Sequence, residues 1–410
     1  MESFRFVHAA DLHLDSPFRG LLEVNDKLGH RLQEASLRAF DNLLELCRSE
    51  RADFLVVAGD VYDTAERAVR AQVRFWNGLG QLAGDGIQSF VVHGNHDPLD
   101  HRLSDAGGPD GVHVFGPEPS WAVATREGRP LAEIQGVSFP TQAVTENLAA
   151  RFAPRRDSDL FAIGLLHCNV GGNPGHDNYA PCTVQDLVNI GLDYWALGHV
   201  HTRQTLRKSS PVIAYPGNLQ GRHPGETGAR GCLMVDVAES GHVHVEFRPL
   251  DVVRWDTGEV SIEGAEGAPA LHARIMDKVE ELQGRSDGRD LVCRLTLAGR
   301  GPLHRELARP DALAEFLAEA REAVSPSVWI ERLENRTRPT LDLEARARQG
   351  DFLAGLLSRA SAADPEELRE LLAPVFSGRR GALAEPPPNE ARKWLEEARW
   401  YLAELFEPEG

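Results

Sequence analysis

Five short stretches of this 410-residue chain place groups that bind cations or move protons directly behind apolar runs. They hold Asp11 and His13, then Asp60 and Asp63 in GDVYD, then Asn95, His96 and Asp97 in GNHD, then His167, and last His199 and His201 in GHVH. Carboxylates, imidazoles and one amide oxygen, without a thiolate, form a hard-to-borderline set that suits manganese, iron or zinc with waters completing the shells. The set is too large for one ion. Two divalent ions roughly 3.5 to 4 Å apart and sharing a carboxylate would clamp a phosphoryl group and make a nearby water acidic enough to attack it. Alternate residues of an extended segment project to the same side, so the D-x-H and H-x-H pairs can reach one ion or two adjacent ones.

Taken singly, each stretch has an ordinary reading. Asp11 would serve as a helix cap, Asp60 and Asn95 as turn residues, and His199 with His201 as a surface or core pair. The order in which they follow one another, each at the end of a strand-like run, is what those readings fail to reproduce. The runs at residues 4 to 10, 54 to 59 and 89 to 94 alternate with helix-period segments near 28 to 50 and 66 to 83, which predicts a β-α-β-α-β opening. Seven further strand-like runs follow before residue 250, an excess over helices that predicts two stacked sheets with helices outside. In such open α/β sheets the carboxyl ends of neighbouring strands line one crevice, and ligands bind there.

Composition narrows the class. The chain is 42% hydrophobic with a net charge of -18, and residues 1 to 250 and 251 to 410 are each acidic, so neither half is a basic nucleic-acid module. A phosphate-bearing partner would have to be met by local arginines and bound cations. Five scattered cysteines without a C-x-x-C pair indicate reduced core thiols, not a disulfide framework. No apolar run is long enough to span a bilayer and the start lacks the form of a signal peptide, so the expectation is a cytoplasmic protein with no membrane partner.

The order D-x-H, G-D-x-x-D, G-N-H-D, H and G-H-x-H resembles the calcineurin-like metallophosphoesterase superfamily over roughly residues 1 to 250. The phrases ADLHLDSPFRGL at 10 to 21 and AYPGNLQGRH at 214 to 223 resemble, within it, the SbcD/YhaO branch of DNA repair exonucleases. That resemblance implies a four-layer α-β-β-α sandwich over 1–255, an α+β capping domain over 256–340, and a helical C-terminal region over 341–410. It implies two divalent metals, manganese first with iron or zinc as alternatives. Asp11, His13, Asp60 and His201 would hold one; Asp60, Asn95, His167 and His199 would hold the other, with Asp60 as the bridge. His96 would be a proton donor leaning on Asp63, and Asp97 an anchor for its loop. The implied partners are DNA, an SMC-type ATPase of the SbcC/YhaN kind that could bind the C-terminal region, and a second copy in a homodimer.

The chain departs from the better-known SbcD pattern at Asn218, where a serine is usual, and at Asp15; both look YhaO-like. Arg203, Arg222 and His223 lie close after the last motifs and are the candidates for holding substrate, against a reading as solvated charge. His176 could also touch substrate. His8, His93 and His113 are read as structural and Cys168 as a core thiol. In the predicted last helix, Trp394, Leu395, Trp400, Leu402 and Leu405 form an apolar stripe that serves either a partner or docking on the chain's own domain. Three functions compete: a two-metal DNA exonuclease, a phosphodiesterase or phosphatase of the same fold acting on small nucleotides or phosphoproteins, and a metal-binding scaffold without chemistry.

Overall fold

The computed structural model describes residues 1–14, 16, 29, 31–32, 34–63, 69–99, 108–156, 159–172, 177–341, 343–364, 367–368, 370 and 388–406. Asp15, His176, half of the phrase at 10 to 21 and most of the proline-rich segment at 381 to 389 lie outside the described residues.

Two six-stranded sheets carry the chemistry-bearing motifs. The first runs in the order β12-β11-β1-β2-β3-β4, built from β1 (Phe4–Ala9), β2 (Phe54–Ala58), β3 (Gln88–Val92), β4 (Val112–Val114), β11 (Gly231–Val237) and β12 (Val243–Pro249). Strands β1 to β4 are parallel, and β11 and β12 close one side antiparallel. The second runs β5-β6-β7-β8-β10-β9, from β5 (Ser120–Arg126), β6 (Arg129–Val137), β7 (Phe161–His167), β8 (Tyr194–Gly198), β9 (Gln204–Arg207) and β10 (Val212–Tyr215). Its four middle strands are parallel, with antiparallel strands at both edges.

The parallel strands are buried on both faces, as their unbroken apolar sequences require. In β2, Phe54, Val56 and Ala58 enter the core between the sheets, where Phe6, Phe90, Ile163 and Tyr194 meet them. Leu55 and Val57 face the other way, toward Phe40, Leu43, Phe75 and Leu79. Those four belong to helices α1 (Ala35–Ser49) and α2 (Val69–Gly84), whose apolar residues recur every three or four positions and cover the first sheet. The second sheet is covered more thinly, by α3 (Val184–Ile190) and a short turn of 3₁₀ helix at Leu148–Arg151, with Phe152, Leu187, Trp195 and Leu197 in that core. The four-layer sandwich is therefore present, with one helical layer reduced. Between the sheets, buried His8 donates through Nε2 to the Leu197 carbonyl (3.1 Å) and accepts from the Tyr194 hydroxyl (3.0 Å), and burial pulls its pKa down to about 3.

Beyond residue 250, β13 (Val253–Ser261), β14 (Asp290–Ala298) and β15 (Val328–Asn335) form a three-stranded sheet in that order. Helices α4 (Ala268–Gly284), α5 (Leu303–Leu307), α6 (Ala312–Ala323), α7 (Leu343–Ala347), α8 (Phe352–Ala362) and α9 (Pro388–Phe406) complete the described elements. The chain divides into two compact units, one of residues 1–257, 280–294 and 324–331, the other of 258–279, 295–323 and 332–410. In the second, Trp400 and Ala403 of α9 bury against Leu343, Leu353 and Leu357, so that part of the predicted stripe docks within its own unit, while Leu405 is exposed. Among the described residues, no helix is long and apolar enough to cross a membrane.

Candidate metal centre

Hydrogen bonding between β1 and β2 continues past the end of both strands. The amides of Asp11, His13 and Leu14 donate to the carbonyls of Gly59, Asp60 and Val61 at 3.0, 3.0 and 2.9 Å. This ties the first two motifs into one edge of the crevice. The backbone there is strained: Asp11, His13, Asp60 and His199 have φ of 50°, 41°, 50° and 99°, a region that costs a residue with a Cβ energy and that clusters at functional sites.

The predicted metal-binding residues of the first unit converge on this edge as two groups. In one, ligand atoms of Asp11, His13, Asp60 and His201 all lie within 4.8 Å of one another. Nε2 of His13 stands 3.1 Å from Nε2 of His201 and 3.8 Å from Oδ2 of Asp60. In the other, Oδ1 of Asn95 stands 3.0 Å from Nε2 of His167 and 3.1 Å from Nδ1 of His199. Asp60 serves both: its Oδ1 accepts from the His96 amide (2.9 Å), and its Oδ2 lies 3.5 Å from His167 Nε2. Asp11 is occupied on its far side by the His199 amide, at 3.0 and 3.2 Å from its two oxygens.

The fit of a cation is tested by the direction of the ring protons. A carbonyl can only accept, so His167 donates through Nδ1 to Ala58 (2.9 Å) and His199 donates through Nε2 to the Asp177 carbonyl (2.7 Å). Each neutral ring then turns a lone pair inward, onto the Asn95 oxygen. Double protonation would relieve the conflict, but burial pushes the pKa of His167 down to about 3, and burial with neighbouring positive groups lowers His13 well below the usual imidazole range. Burial, then mutual repulsion between carboxylates, raises Asp11 well above the ordinary range, and burial raises Asp60. Acceptors converging without donors are what a divalent cation resolves.

His96 is held differently from the sequence expectation. Its Nδ1 donates to the main-chain carbonyl of Asp63 at 2.7 Å, not to the carboxylate. The Asp63 carboxylate is engaged by the Arg222 guanidinium instead and lies 3.2 Å from His13 Nδ1. The tautomer is fixed either way, with Nε2 left for the crevice. Asp97 is an anchor: wholly buried, it accepts from the amides of Val61 and Gly94 (3.0 and 2.8 Å) and from His93 Nδ1 (2.8 Å). Gly94 is required for space, since a Cβ there would come within 2.3 Å of Asp60 Oδ1.

The proposed substrate groups separate. Arg222 is drawn in, bonded to Asp63 and 3.3 Å from the Ser16 hydroxyl. His223 stands at the rim, largely exposed, 3.5 Å from Glu226. Arg203 is not brought to this group: the residue is exposed and its guanidinium stacks on the Phe247 ring of β12 at 4.0 Å. Sequence reasoning missed Glu226, whose Oε1 lies 2.6 Å from His201 Nδ1, and the carbonyls of Ala58 and Asp177 that orient the other rings. It gave Asn218 no contact; the side chain is buried, donates to the Gln220 carbonyl and accepts from Arg230.

Residues 4–203 match the calcineurin-like phosphoesterase family, and residues 255–338 match the middle domain of metallophosphoesterase YhaO. The metallophosphoesterase YhaO of Bacillus subtilis is 36% identical over 370 residues, covering 89% of both chains. A component of the nuclease SbcCD of the same organism is 26% identical over 57% of this chain and 66% of its own, and the DNA double-strand break repair protein Mre11 of Methanopyrus kandleri is 26% identical over 66% and 62%. A dimetal phosphatase from Danio rerio superposes with a TM-score of 0.36 and 13% identity over 60% of this chain and 99% of its own.

Proposed function

We propose, from the premise that this chain belongs to the calcineurin-like metallophosphoesterases with a YhaO-type middle domain, that it is a manganese-dependent DNA exonuclease acting in repair. The observation that carries the hydrolytic part is the pair of acceptor clusters sharing Asp60. Its extension to DNA is supported by the two relatives named for nuclease action and double-strand break repair.

Divalent cations, when bound, supply charge neutralisation at the phosphate and a water acidic enough to act as nucleophile. The chain's own groups do the rest. Asp11, His13, Asp60 and His201 would hold one cation and Asp60, Asn95, His167 and His199 the other, and the main-chain bonds from Asp11, His13 and Leu14 to Gly59, Asp60 and Val61 hold the first of these ligands in place despite their strained backbone. His96, with Nδ1 committed to the Asp63 carbonyl, presents Nε2 to the crevice and, as imidazolium, donates its proton to the departing oxygen. Arg222 sits beside it to meet a non-bridging phosphate oxygen, a contact that Lys would make less well because it lacks the planar fork.

The acidic surface favours a second reading, hydrolysis of a small phosphodiester or phosphomonoester. Incubation of the purified chain with linear duplex DNA and manganese, with and without a chelator, separates the two. Manganese-dependent release of nucleotides supports the nuclease; turnover of a small chromogenic diester with intact DNA selects the alternative. The same reading places an SMC-type ATPase on the C-terminal helices and a second copy in a dimer, which co-purification and light scattering would test.

A further inference from the structure

We propose that Glu226 is a positioning residue of the metal centre, holding the His201 ring so that its Nε2 faces the first cation. The proposal rests on the metallophosphoesterase reading and deepens it. Glu226 comes from the loop after β10, far in sequence from every ligand motif except GHVH, and its side chain is almost wholly buried. A buried carboxylate is tolerated only where donors meet both oxygens. Here Oε1 receives His201 Nδ1 at 2.6 Å and Oε2 receives the amide of Arg222 at 2.7 Å.

The first contact decides the chemistry of the ring. A carboxylate oxygen accepts, so the proton of neutral His201 is on Nδ1, and the lone pair is on Nε2, which stands 3.1 Å from His13 Nε2. Without Glu226 the ring could carry its proton on either nitrogen, and the form with Nε2–H could not bind a cation. The second contact links that ligand to the segment carrying Arg222, whose guanidinium reaches Asp63. The main chain at His201 is secured separately. Its carbonyl accepts from Arg230 Nη1 (2.5 Å) and from the Asn218 amide (3.2 Å). Removing Glu226 therefore frees the ring while the strand end stays in place, and the second group, on Asn95, His167 and His199, does not use Glu226.

Calorimetric titration of manganese into the full apo chain tests this without any turnover assay. Wild type is expected to take up two equivalents. Glu226→Ala should weaken one of them by about 10- to 100-fold and leave the other unchanged, and Glu226→Gln, which keeps an acceptor for Nδ1 but loses the charge, should fall between. Variants that match wild type at both sites would overturn the assignment alone. Equal weakening of both sites would also overturn it, since the role would then be general support of the fold. If the alanine variant does not fold, the glutamine variant decides, with unchanged affinities counting against the proposal. A wild type that binds no manganese would remove the metal reading and this assignment together.

Discussion

The amide oxygen of Asn95 faces Nε2 of His167 at 3.0 Å, and neither atom brings a proton to the contact. With His199 Nδ1 at 3.1 Å on another side, one neutral oxygen faces two imidazole lone pairs. Asn95 would thus supply a ligand without adding charge to a site already holding two buried carboxylates. Asn95→Ala is expected to weaken the cation on His167 and His199 by 10-fold or more while the Asp11 group keeps its own. Metal content of the purified variant, measured against wild type after dialysis at fixed free manganese, checks this. Full retention of two equivalents would refute the assignment.

Metal removal should destabilise the chain, because a ligand that binds only the folded state adds RT ln(1 + [L]/Kd), about 2.7 kcal/mol at 100 times Kd. For a unit of about 250 residues this corresponds to a fall in Tm of roughly 5 to 10 °C on chelation. Differential scanning fluorimetry with and without chelator measures it.

The same cation binding should depend on pH with a definite sign. Burial and mutual repulsion raise Asp11, and burial raises Asp60, so the empty folded site carries protons that the unfolded chain has already lost above the ordinary carboxylate range. In that window the empty site loses stability as pH rises, and binding a cation must expel those protons. The lowered imidazoles add nothing above their ordinary pKa, because they are neutral there in both states. Apparent manganese affinity should therefore rise from pH 5.5 to pH 8, with net proton release. Calorimetry in two buffers of different ionisation enthalpy reads that release directly; zero release would contradict the raised carboxylates.

Much of the centre was legible because its residues are carried by strong elements. Runs such as FLVVA and SFVV have no solvent-facing side, so their ends could be located, and the polar groups that follow them could be assigned to one crevice. What escaped lies on weak or distant elements. β5 and β9 are edge strands with mostly half-exposed side chains, and β13 turns polar along its length, so none shows a clear alternation. Glu226 is one acid among many in a negative chain, on a loop that only the fold brings to His201. Asp63 illustrates a different limit. The family resemblance paired it with His96, but whether carbonyl or carboxylate makes the contact depended on Arg222, which approaches from 159 residues away and takes the carboxylate. Arg203 shows the converse limit: its nearness in sequence to GHVH gives no hint of the Phe247 ring on which its guanidinium rests.

Gly94 makes a sharp test of packing at the centre. Its φ is ordinary, so an alanine meets no backbone penalty, and the whole cost comes from a Cβ placed 2.3 Å from Asp60 Oδ1 and 2.7 Å from the His167 ring. Overpacking of this kind costs about 1 to 3 kcal/mol. Because the atoms displaced belong to the shared carboxylate, Gly94→Ala should lose both cations' affinity out of proportion to its loss of stability. Chemical denaturation and metal titration of the same sample separate the two effects. A variant with lowered stability and wild-type metal affinity would place the strain elsewhere.

His96 should separate turnover from binding. Its ring is close to the first group, with its centroid 4.9 Å from that of His13, and one of its nitrogens lies within 4.8 Å of ligand atoms of His13 and Asp63, yet its Nδ1 is committed to the Asp63 carbonyl and it is its amide that reaches Asp60. A group that only donates a proton to the departing oxygen contributes about 10²- to 10⁴-fold to the rate. His96→Ala should therefore lose kcat by that factor with both manganese equivalents retained. The loss should shrink for substrates with a good leaving group, such as a nitrophenyl diester, because an oxygen that leaves readily needs no proton. Equal losses on poor and good leaving groups would show that His96 stabilises charge at phosphorus and does not act as the acid.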